Sequence, residues 1–368
     1  MRRSAPTLAA LLPGRDNNLN LVRMLAAGAV LVSHAFPISG GKDPLLVLTG
    51  ATGGEYAVAV FFGISGLLIA RSFDRRETML HFAAARVLRL FPALAVVLVL
   101  TVCAGALLTR LPLADYLAAR GTWTYIPANL LLASPQFALP GVFETNPYGP
   151  QINGSLWTLF YEVACYGGVV LLGLIGVLRR RWLALAAAAL VGCAHIGIAW
   201  GSAPGGPLGE AVSMRIALLA RLAFPFMLGT AAYVWRERLV LSGWIALALW
   251  IPTALLPAGT LLAAGIVVAL VYGALWFGFV PKGRLLGYNR IGDYSYGVYI
   301  YAFPVQQALV HFAPGMSPLA NIVLALPATL VLAVLSWTLV ERRAIAAARP
   351  LADLLTRRQG SDQERNPA

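Results

Sequence analysis

Ten apolar segments, separated by short polar stretches, are the feature that most limits how this sequence can fold. A membrane-spanning helix needs about 20 apolar residues, and the segments run 19–38, 55–71, 87–109, 153–178, 182–200, 211–234, 242–256, 259–280, 292–313 and 317–340. The seventh segment is short, and Pro252 and Pro257 interrupt the pattern near its boundary with the eighth segment, which makes that boundary the hardest to place. Charged residues make up 12% of the chain, against about 25% in soluble domains. The sequence therefore predicts an all-α integral membrane protein, a bundle of about ten transmembrane helices.

The distribution of basic residues predicts how this bundle is oriented. If the N-terminus is cytoplasmic, 23 of the 28 Lys and Arg residues fall on the cytoplasmic side, and only Lys42, Arg110 and Arg120 fall on the opposite side. Arg215 and Arg221 lie within the sixth segment. Cytoplasmic loops carry the excess of Lys and Arg, so both termini are predicted to be cytoplasmic. The net charge of +13 then follows from topology; it favours anionic lipid headgroups as partners and does not indicate nucleic acid.

Three parts are expected along the chain. They are a cytoplasmic N-terminal segment at 1–18, a membrane domain at 19–343, and a polar cytoplasmic tail at 344–368 that is predicted to be disordered. No convincing signal peptide begins the sequence. The three cysteines, Cys103, Cys165 and Cys193, lie in apolar segments. Their number and spacing fit neither a disulfide framework nor a metal motif, so no metal is expected.

The first apolar segment contains two ionisable residues, Arg23 and His34. They are eleven positions apart, so at about 100° per residue both point the same way from one helix, about 16 Å apart along its axis. Asn20, Ala27 and Val30 share this stripe of polar and small side chains. An ionisable group at membrane depth is a functional hypothesis by default. The alternative is that His34 only forms a hydrogen bond with a neighbouring helix.

Arg86 and Arg89 lie just before the third segment, on the predicted cytoplasmic side. A spacing of three places both guanidinium groups on one helical face, which suits recognition of phosphate groups. The alternative is that these arginines only satisfy the orientation rule for cytoplasmic loops.

A polar run opens the fourth segment from the outer side, beginning at Asn153. Ser155 and Glu162 are seven positions apart, so on one helix their side chains would point within about 20° of the same direction. Thr158 lies on the same stripe. A carboxylate two turns into a span is expected to face the bundle, where it can orient a histidine or fix its charge.

Two further runs are rich in small or polar residues. Residues 61–66, Phe-Phe-Gly-Ile-Ser-Gly, carry the small side chains that allow close helix packing. The ninth segment is rich in tyrosine, including Tyr299, and its Pro304 removes one helix hydrogen bond and frees a carbonyl. With Gln306 and Gln307 this run can line a polar cavity; the alternative is packing of tyrosines at the membrane interface.

Together these motifs resemble the membrane-bound acyltransferase-3 family, bacterial ten-span proteins that O-acylate surface and secreted glycans. Five features carry the resemblance, between residue 15 and about residue 343. They are Arg23 and His34 with ten residues between them, Phe-Phe-x-x-Ser-Gly at 61–66, Arg86-x-x-Arg89, Asn-Gly-Ser-Leu-Trp-Thr-Leu at 153–159 followed by Glu162, and Ser-Tyr-x-x-Tyr with a later proline in 295–304.

The resemblance implies roles for several of these residues. His34 is similar to the family's essential histidine, Arg23 to its partner, and Glu162 to a recurrent glutamate. Arg86 and Arg89 are similar to an arginine pair linked to acyl-CoA binding. Asn153, Ser155, Tyr299 and Gln306 are candidates for lining a substrate cavity. The sequence departs from the family pattern at three positions, where Asn20, Ala59 and Ala302 replace residues that are often Asp, Asp and His.

The resemblance also implies a reaction. An acetyl group is expected to move from cytoplasmic acetyl-CoA, a donor substrate and not a tightly bound cofactor, to a hydroxyl of a surface or secreted polysaccharide or oligosaccharide. The acceptor partner is a glycan or glycolipid, and the location implied is the bacterial cytoplasmic (inner) membrane. His34 can act as a general base or carry the acyl group covalently. The competing function is a transporter or flippase of a lipid-linked sugar.

Overall fold

The computed structural model describes residues 5–14, 16–200 and 207–365, and these ranges are helical apart from connecting segments. Their longer helices are α1 Leu19–Ile38, α2 Gly53–Asp74, α3 Met79–Leu108, α4 Trp157–Leu174, α5 Arg181–Trp200, α6 Pro207–Val234, α7 Gly243–Ala248, α8 Trp250–Ala254, α9 Thr260–Phe279, α10 Ser295–Phe312, α11 Pro318–Ser336 and α12 Arg342–Arg365. Short helices occupy Leu8–Leu11, Pro44–Thr49, Leu113–Ala118 and Arg120–Leu130, with 3₁₀ turns at Val177–Arg179 and Gly283–Arg290. β-Pairing within these ranges is limited to one isolated bridge between Thr7 and Val240.

Eight helical stretches of the described chain are long and apolar enough to cross a membrane. They correspond to the predicted segments 1 to 6, 8 and 10. The bounds of α1 equal the predicted 19–38, whereas α3 begins at Met79, eight residues before the predicted start. The protein is therefore an all-α membrane protein, and the total of ten spans stays a prediction.

The seventh and ninth predicted segments differ from the other eight. The seventh is divided into α7 and α8, which together extend over Gly243–Ala254. Twelve residues rise about 18 Å, less than the hydrocarbon thickness of about 30 Å. Pro252 has no N–H to donate to the carbonyl of Ala248, which ends α7 at this point. The ninth segment forms α10, which has 18 residues but is less apolar because of its tyrosines and glutamines.

The predicted disordered tail differs from the structure, because α12 is helical through Arg365; residues 366–368 lie outside the described ranges. Its contacts with α3 explain the helix. Ala352 is fully buried, and the Asp353 carboxylate lies 2.9 Å from Nε2 of His81. Tertiary packing stabilises a helix that local composition alone does not predict.

The chain divides into two compact units, and the first comprises Met1–Arg71 and Thr158–Ser295. Its core includes the N-terminal segment: Leu8 is fully buried and its N–H donates to the carbonyl of Leu239 at 2.8 Å. Helices α2 and α6 cross so closely that a Cβ at Gly66 would overlap the carbonyl of Phe226. The packing role predicted for residues 61–66 is confirmed.

The second unit comprises Ser72–Trp157 and Tyr296–Ala368. Helix α3 packs against α12 and against Arg120–Leu130. The long segment at 110–152 is folded, with Tyr116 and Tyr125 fully buried. The hydroxyl of Tyr116 donates to the carbonyl of Val102 at 2.9 Å, and burial raises its pKa to about 12. This hydrogen bond holds the segment against α3.

Candidate active site

His34 lies one turn before the end of α1 and is partly buried. The preceding residue, Ser33, is buried and donates its hydroxyl to the carboxylate of Asp43. Asp43 lies in the connection after α1 and is 5% exposed. The structure therefore places a buried carboxylate beside the backbone that carries the histidine.

Three donors hold the Asp43 carboxylate. Besides Ser33, they are the N–H of Leu45 at 2.8 Å and the N–H of Gly53 at 3.1 Å. Asp43 is thus the N-cap of the short helix Pro44–Thr49. Its charge interacts electrostatically with His34. A fixed carboxylate near an imidazole stabilises the imidazolium that forms when the ring accepts a proton.

Arg23 forms an ion pair with Asp293, with Nη1 2.6 Å from Oδ2. The other carboxylate oxygen of Asp293 accepts the hydroxyl of Ser295 at 2.6 Å. Along α1, Arg23 is about 16 Å from His34. The two residues share a helix face, as the spacing predicts, but Arg23 is positioned to fix the beginning of α1 and not to contact the imidazole.

Glu162 lies in the second turn of α4 and is partly buried. Its carboxylate accepts the hydroxyl of Tyr166, one turn further along the same helix. Tyr166 in turn packs against the ring of Phe226. Glu162 is therefore held by its own helix within the first unit.

The predicted common face of Ser155 and Glu162 is wrong, because α4 begins at Trp157 and Ser155 lies in the preceding turn. The side-chain oxygen of Asn153 accepts the N–H of Ser155 at 3.2 Å. Such local bonds from side chain to backbone compete with helix formation. They keep residues 153–155 out of the helix.

This turn is fixed to α10 in the second unit. Because Pro304 has no N–H, the carbonyl of Ile300 has no partner along its own helix. The side-chain amide of Asn153 donates to that carbonyl at 2.9 Å, and the Tyr299 hydroxyl donates to the carbonyl of Ser155 at 3.0 Å. The predicted release of a carbonyl by Pro304 is confirmed.

Gln306 and Gln307 are fully buried in α10. The carbonyl of Gln306 accepts the side-chain amide of Asn321 at 3.1 Å. The Gln307 side chain accepts from Asn146 at 2.8 Å and donates to the carbonyl of Gln151 at 2.6 Å. The nearby cavity of about 320 Å³ is lined by apolar groups together with Thr101 and Tyr301, and not by these glutamines. Gln307 therefore fastens the segment at 146–151 to α10.

Arg86 and Arg89 lie on one face of α3, as predicted. Arg86 is 3.4 Å from the hydroxyl of Ser72 and its guanidinium lies 5.7 Å from the ring centre of Phe82. Arg89 has a carboxylate partner, Glu341, at 3.6 Å. Both arginine side chains thus have positions defined by contacts within the second unit.

Glu341 is the last residue of a π-helical turn, Trp337–Glu341, between α11 and α12. Its side chain is completely buried and accepts the hydroxyl of Ser336 at 2.9 Å. The guanidinium of Arg89 also lies 5.9 Å from the ring centre of Trp337. Single π turns occur often at functional sites. Two guanidinium groups and one carboxylate leave a net positive site that suits a phosphate ligand.

Comparison with known proteins identifies the protein family of this chain. A family model described as an acyltransferase domain matches residues 16–338. The chain belongs to the acyltransferase-3 family. It is 29% identical over 343 residues to an O-acetyl transferase of Shigella phage Sf6, covering 92% of this chain and 99% of that protein. It is 30% identical over 368 residues to nodulation protein 10 of Rhizobium leguminosarum bv. viciae, covering 90% and 94%. No solved structure matches the chain.

The acyltransferase is thus a membrane-bound O-acyltransferase, and its structure adds three carboxylates that sequence reasoning missed: Asp43, Asp293 and Glu341. Asp43 precedes a proline, a pattern typical of a helix start. Asp293 and Glu341 border the ninth and tenth predicted segments, where acidic residues look like ordinary helix boundaries. Their pairing with Arg23 and Arg89 joins positions more than 200 residues apart, and no local pattern reveals such a pair.

Proposed function

We propose that this acyltransferase moves an acetyl group from cytoplasmic acetyl-CoA to a hydroxyl of a surface or secreted polysaccharide or oligosaccharide. The acceptor is a glycan or glycolipid, and the enzyme works in the bacterial cytoplasmic membrane with ten spans and cytoplasmic termini. The observation that carries the proposal is His34 within a candidate span, next to a carboxylate that three donors hold in place. The name of the phage relative supports acetyl as the group transferred.

In the proposed reaction His34 is the general base. It accepts the proton of the acceptor hydroxyl while the hydroxyl oxygen forms a bond to the carbonyl carbon of the thioester. The carbon–sulfur bond breaks, and the leaving thiolate of CoA takes the proton from the imidazolium. The products are the acetyl ester and the CoA thiol. Asp43 lowers the energy of the transition state by stabilising the imidazolium.

Arg86 and Arg89 are proposed to bind the phosphates of acetyl-CoA. Planar guanidinium groups recognise phosphate through paired hydrogen bonds, and two of them on one helix face present several donors together. Acetyl-CoA is consumed in each turnover, so it is a substrate. A resident cofactor is not part of the proposed reaction.

The other predicted site residues are proposed to position the site. Arg23, through Asp293, fixes the beginning of α1, and Glu162 acts through Tyr166 in α4. Asn153, Ser155, Tyr299 and Gln306 are buried and take part in hydrogen bonds with backbone groups. Their proposed role is to hold α10 and the turn at 153–155 in place within the second unit, which follows from their fixed geometry.

The test compares wild type with His34→Ala and His195→Ala in nanodiscs, using radiolabelled acetyl-CoA and a panel of oligosaccharides. His195 is the matched control because it also lies in a candidate span and packs in a stacked arrangement on Phe224. We expect acetyl transfer in wild type and His195→Ala and its loss in His34→Ala, with equal amounts of folded protein. Transfer retained by His34→Ala would contradict the site assignment.

The same samples separate the chemical routes and the competing function. Label that stays on wild-type protein before acceptor is added would show a covalent acyl-histidine and replace the general-base step. Thioester consumption that needs no ion gradient is expected of the enzyme. Movement of a lipid-linked sugar that is driven by an ion gradient, without thioester loss, would identify a transporter.

A further inference from the structure

Two arginines within α6, Arg215 and Arg221, have no part in the reaction derived so far. An ionisable group inside a span is costly, and it marks a functional hypothesis with a partner to be named. The partner of Arg221 is Glu55 in the first turn of α2, with Nη2 2.5 Å from Oε1 and side chains that are 32% and 30% exposed. Both residues lie in candidate spans, so this ion pair joins two membrane helices of the first unit.

Glu55 also closes the cap of α2. Its second carboxylate oxygen, Oε2, accepts the N–H of Thr52 at 2.9 Å, and the Thr52 hydroxyl accepts the N–H of Glu55 at 3.1 Å. This reciprocal arrangement is a capping box, which satisfies donors that a helix start otherwise leaves without partners. Arg221 and the Thr52 backbone thus hold the two oxygens of one carboxylate. The guanidinium therefore fixes the orientation of the group that caps the helix.

The capped start of α2 is also the part of this helix that meets the candidate active site. The N–H of Gly53 donates to Asp43 at 3.1 Å. A Cβ on Gly54 would lie 3.0 Å from Oγ of Ser33, the residue before His34. Glycines allow this close approach, but ordering a glycine costs more conformational entropy than ordering any other residue. The capping box and its ion pair offset that cost where the helix touches the site.

These contacts form one continuous chain from α6 to the histidine. Arg221 holds Glu55, Glu55 closes the cap, and the capped helix start supplies one of the three donors of Asp43. Asp43 interacts electrostatically with His34. The position of that carboxylate matters, because a fixed charge stabilises a transition state only where the opposite charge develops.

We infer that Arg221 is a positioning residue, which holds the carboxylate of Asp43 in place through Glu55 and the cap of α2. The inference rests on the proposed function, because it gives Arg221 a part in the same reaction. In this role Arg221 needs no contact with donor or acceptor. Its loss should therefore lower kcat and leave the KM for acetyl-CoA unchanged, whereas an ion pair that only joins two helices would affect the amount of folded protein alone.

The test measures acetyl transfer and hydrogen–deuterium exchange of Arg221→Met in nanodiscs. We expect kcat to fall about tenfold at an unchanged KM, since a small displacement of a positioned group slows a reaction strongly. Exchange at the amides of residues 52–56 should become faster, because the helix start opens more often. Arg221→Lys keeps a positive charge near Glu55 and should retain most of the activity. Arg215→Met is the matched control: Arg215 lies in the same helix, is exposed, and should give wild-type kcat and exchange when replaced.

Thr52→Ala tests the same chain from its other side. It removes the hydroxyl of the capping box and keeps the ion pair, and loss of one N-cap is a small enough change for the protein to fold. We expect a lower kcat and faster exchange at residues 52–56, as in Arg221→Met. Wild-type kcat and exchange in Thr52→Ala would overturn the inference, because the ion pair would then act without the cap.

A double variant decides whether Arg221 acts through Asp43. Residues that act through one another have non-additive effects. Added to Asp43→Asn, Arg221→Met should therefore lower kcat by no more than about twofold. A further tenfold loss would show an independent role and overturn the inference.

Activity and exchange separate this inference from the proposed function. Absence of acetyl transfer in wild type would contradict the proposed reaction, while faster exchange in Arg221→Met would still support the link from Arg221 to the start of α2. Acetyl transfer in wild type with an equal kcat in Arg221→Met would keep the reaction and overturn the inference.

Discussion

Asp43 combines a structural and a chemical role in one side chain. It caps the helix Pro44–Thr49 and accepts donors from both α1 and α2. An asparagine at this position would retain an acceptor oxygen for the cap, since Asn is as good an N-cap residue as Asp. The charge near His34 and the second acceptor oxygen, which binds Ser33 and Gly53, would be lost. Comparison with Ser33→Ala separates these two losses.

Asp43→Asn is predicted to lower the kcat of acetyl transfer about tenfold, because loss of about 1.4 kcal/mol of transition-state stabilisation has that effect. The amount of folded protein should stay close to wild type. Steady-state acetyl-CoA consumption and thermal unfolding in nanodiscs check the two parts. Ser33→Ala, which keeps the charge and removes one donor, serves as the control. An equal loss of activity in Ser33→Ala would assign the effect to the hydrogen bond and not to the charge.

At the scale of elements, the π turn Trp337–Glu341 is the feature that joins α11 to α12. A π turn inserts one extra residue into the helix, so α12 continues with its side chains rotated by about 100° relative to an uninterrupted helix. That rotation accompanies the burial of Glu341 beside Arg89 on α3. The arginine pair is therefore set partly by an element far from it in sequence.

Glu341→Gln is predicted to lower the KM for acetyl-CoA about fivefold, because removing one negative charge near Arg89 favours a phosphate ligand by about 1 kcal/mol. Acetyl-pantetheine, which lacks the nucleotide phosphates, should show no change in KM. The stability of the variant should fall, since Arg89 loses its counter-ion. Glu77→Gln is the control: Glu77 pairs with Arg349 at the surface of the same unit. A rise in KM for acetyl-CoA alone would instead show that Glu341 orients Arg89 for phosphate binding.

The sequence predicts some elements well for identifiable reasons. The polar residues before Leu19 and the glycines after Ile38 mark α1 clearly, and its bounds match. The break between α7 and α8 is indicated in the sequence by Pro252. The π turn has no such signal, because the apolar pattern of residues 317–340 continues through it. The helicity of α12 depends on contacts such as His81 with Asp353, which local sequence does not contain.

The whole molecule has a strongly asymmetric distribution of charge. With 23 basic residues on one predicted side and three on the other, the orientation rule predicts cytoplasmic termini. Lys42 and Arg180 are both exposed and are predicted to face opposite sides of the membrane. They are suitable positions for a direct test of orientation.

In a variant without Cys103, Cys165 and Cys193, we expect Lys42→Cys to react with a membrane-impermeant maleimide in intact spheroplasts. Arg180→Cys should react only after permeabilisation, because the bilayer blocks access to the cytoplasmic side. The labelled fraction is measured by a gel shift, with activity as the check that each variant is folded. The reverse pattern of labelling would invert the predicted topology.

The candidate site was predictable in part at this scale. The sequence identifies His34, Arg23, Arg86 and Arg89 because ionisable residues in or beside apolar segments are conspicuous. It does not identify their carboxylate partners, since those pairings depend on how distant helices pack. The shared face expected of Ser155 and Glu162 fails for a local reason, the side-chain bond that Asn153 makes to the backbone.

The eight apolar helices of the described chain that are long enough to cross a membrane change how the supply of a glycolipid acceptor should be counted. Such an acceptor, one of the two classes proposed, is present at a mole fraction among lipids and not at a molar concentration in water. Adding inert phospholipid at a fixed amount of acceptor would then slow the enzyme by surface dilution, although every bulk concentration of enzyme, donor and acceptor is unchanged. The rate of glycan modification would in this way respond to how crowded the membrane is with competing lipids.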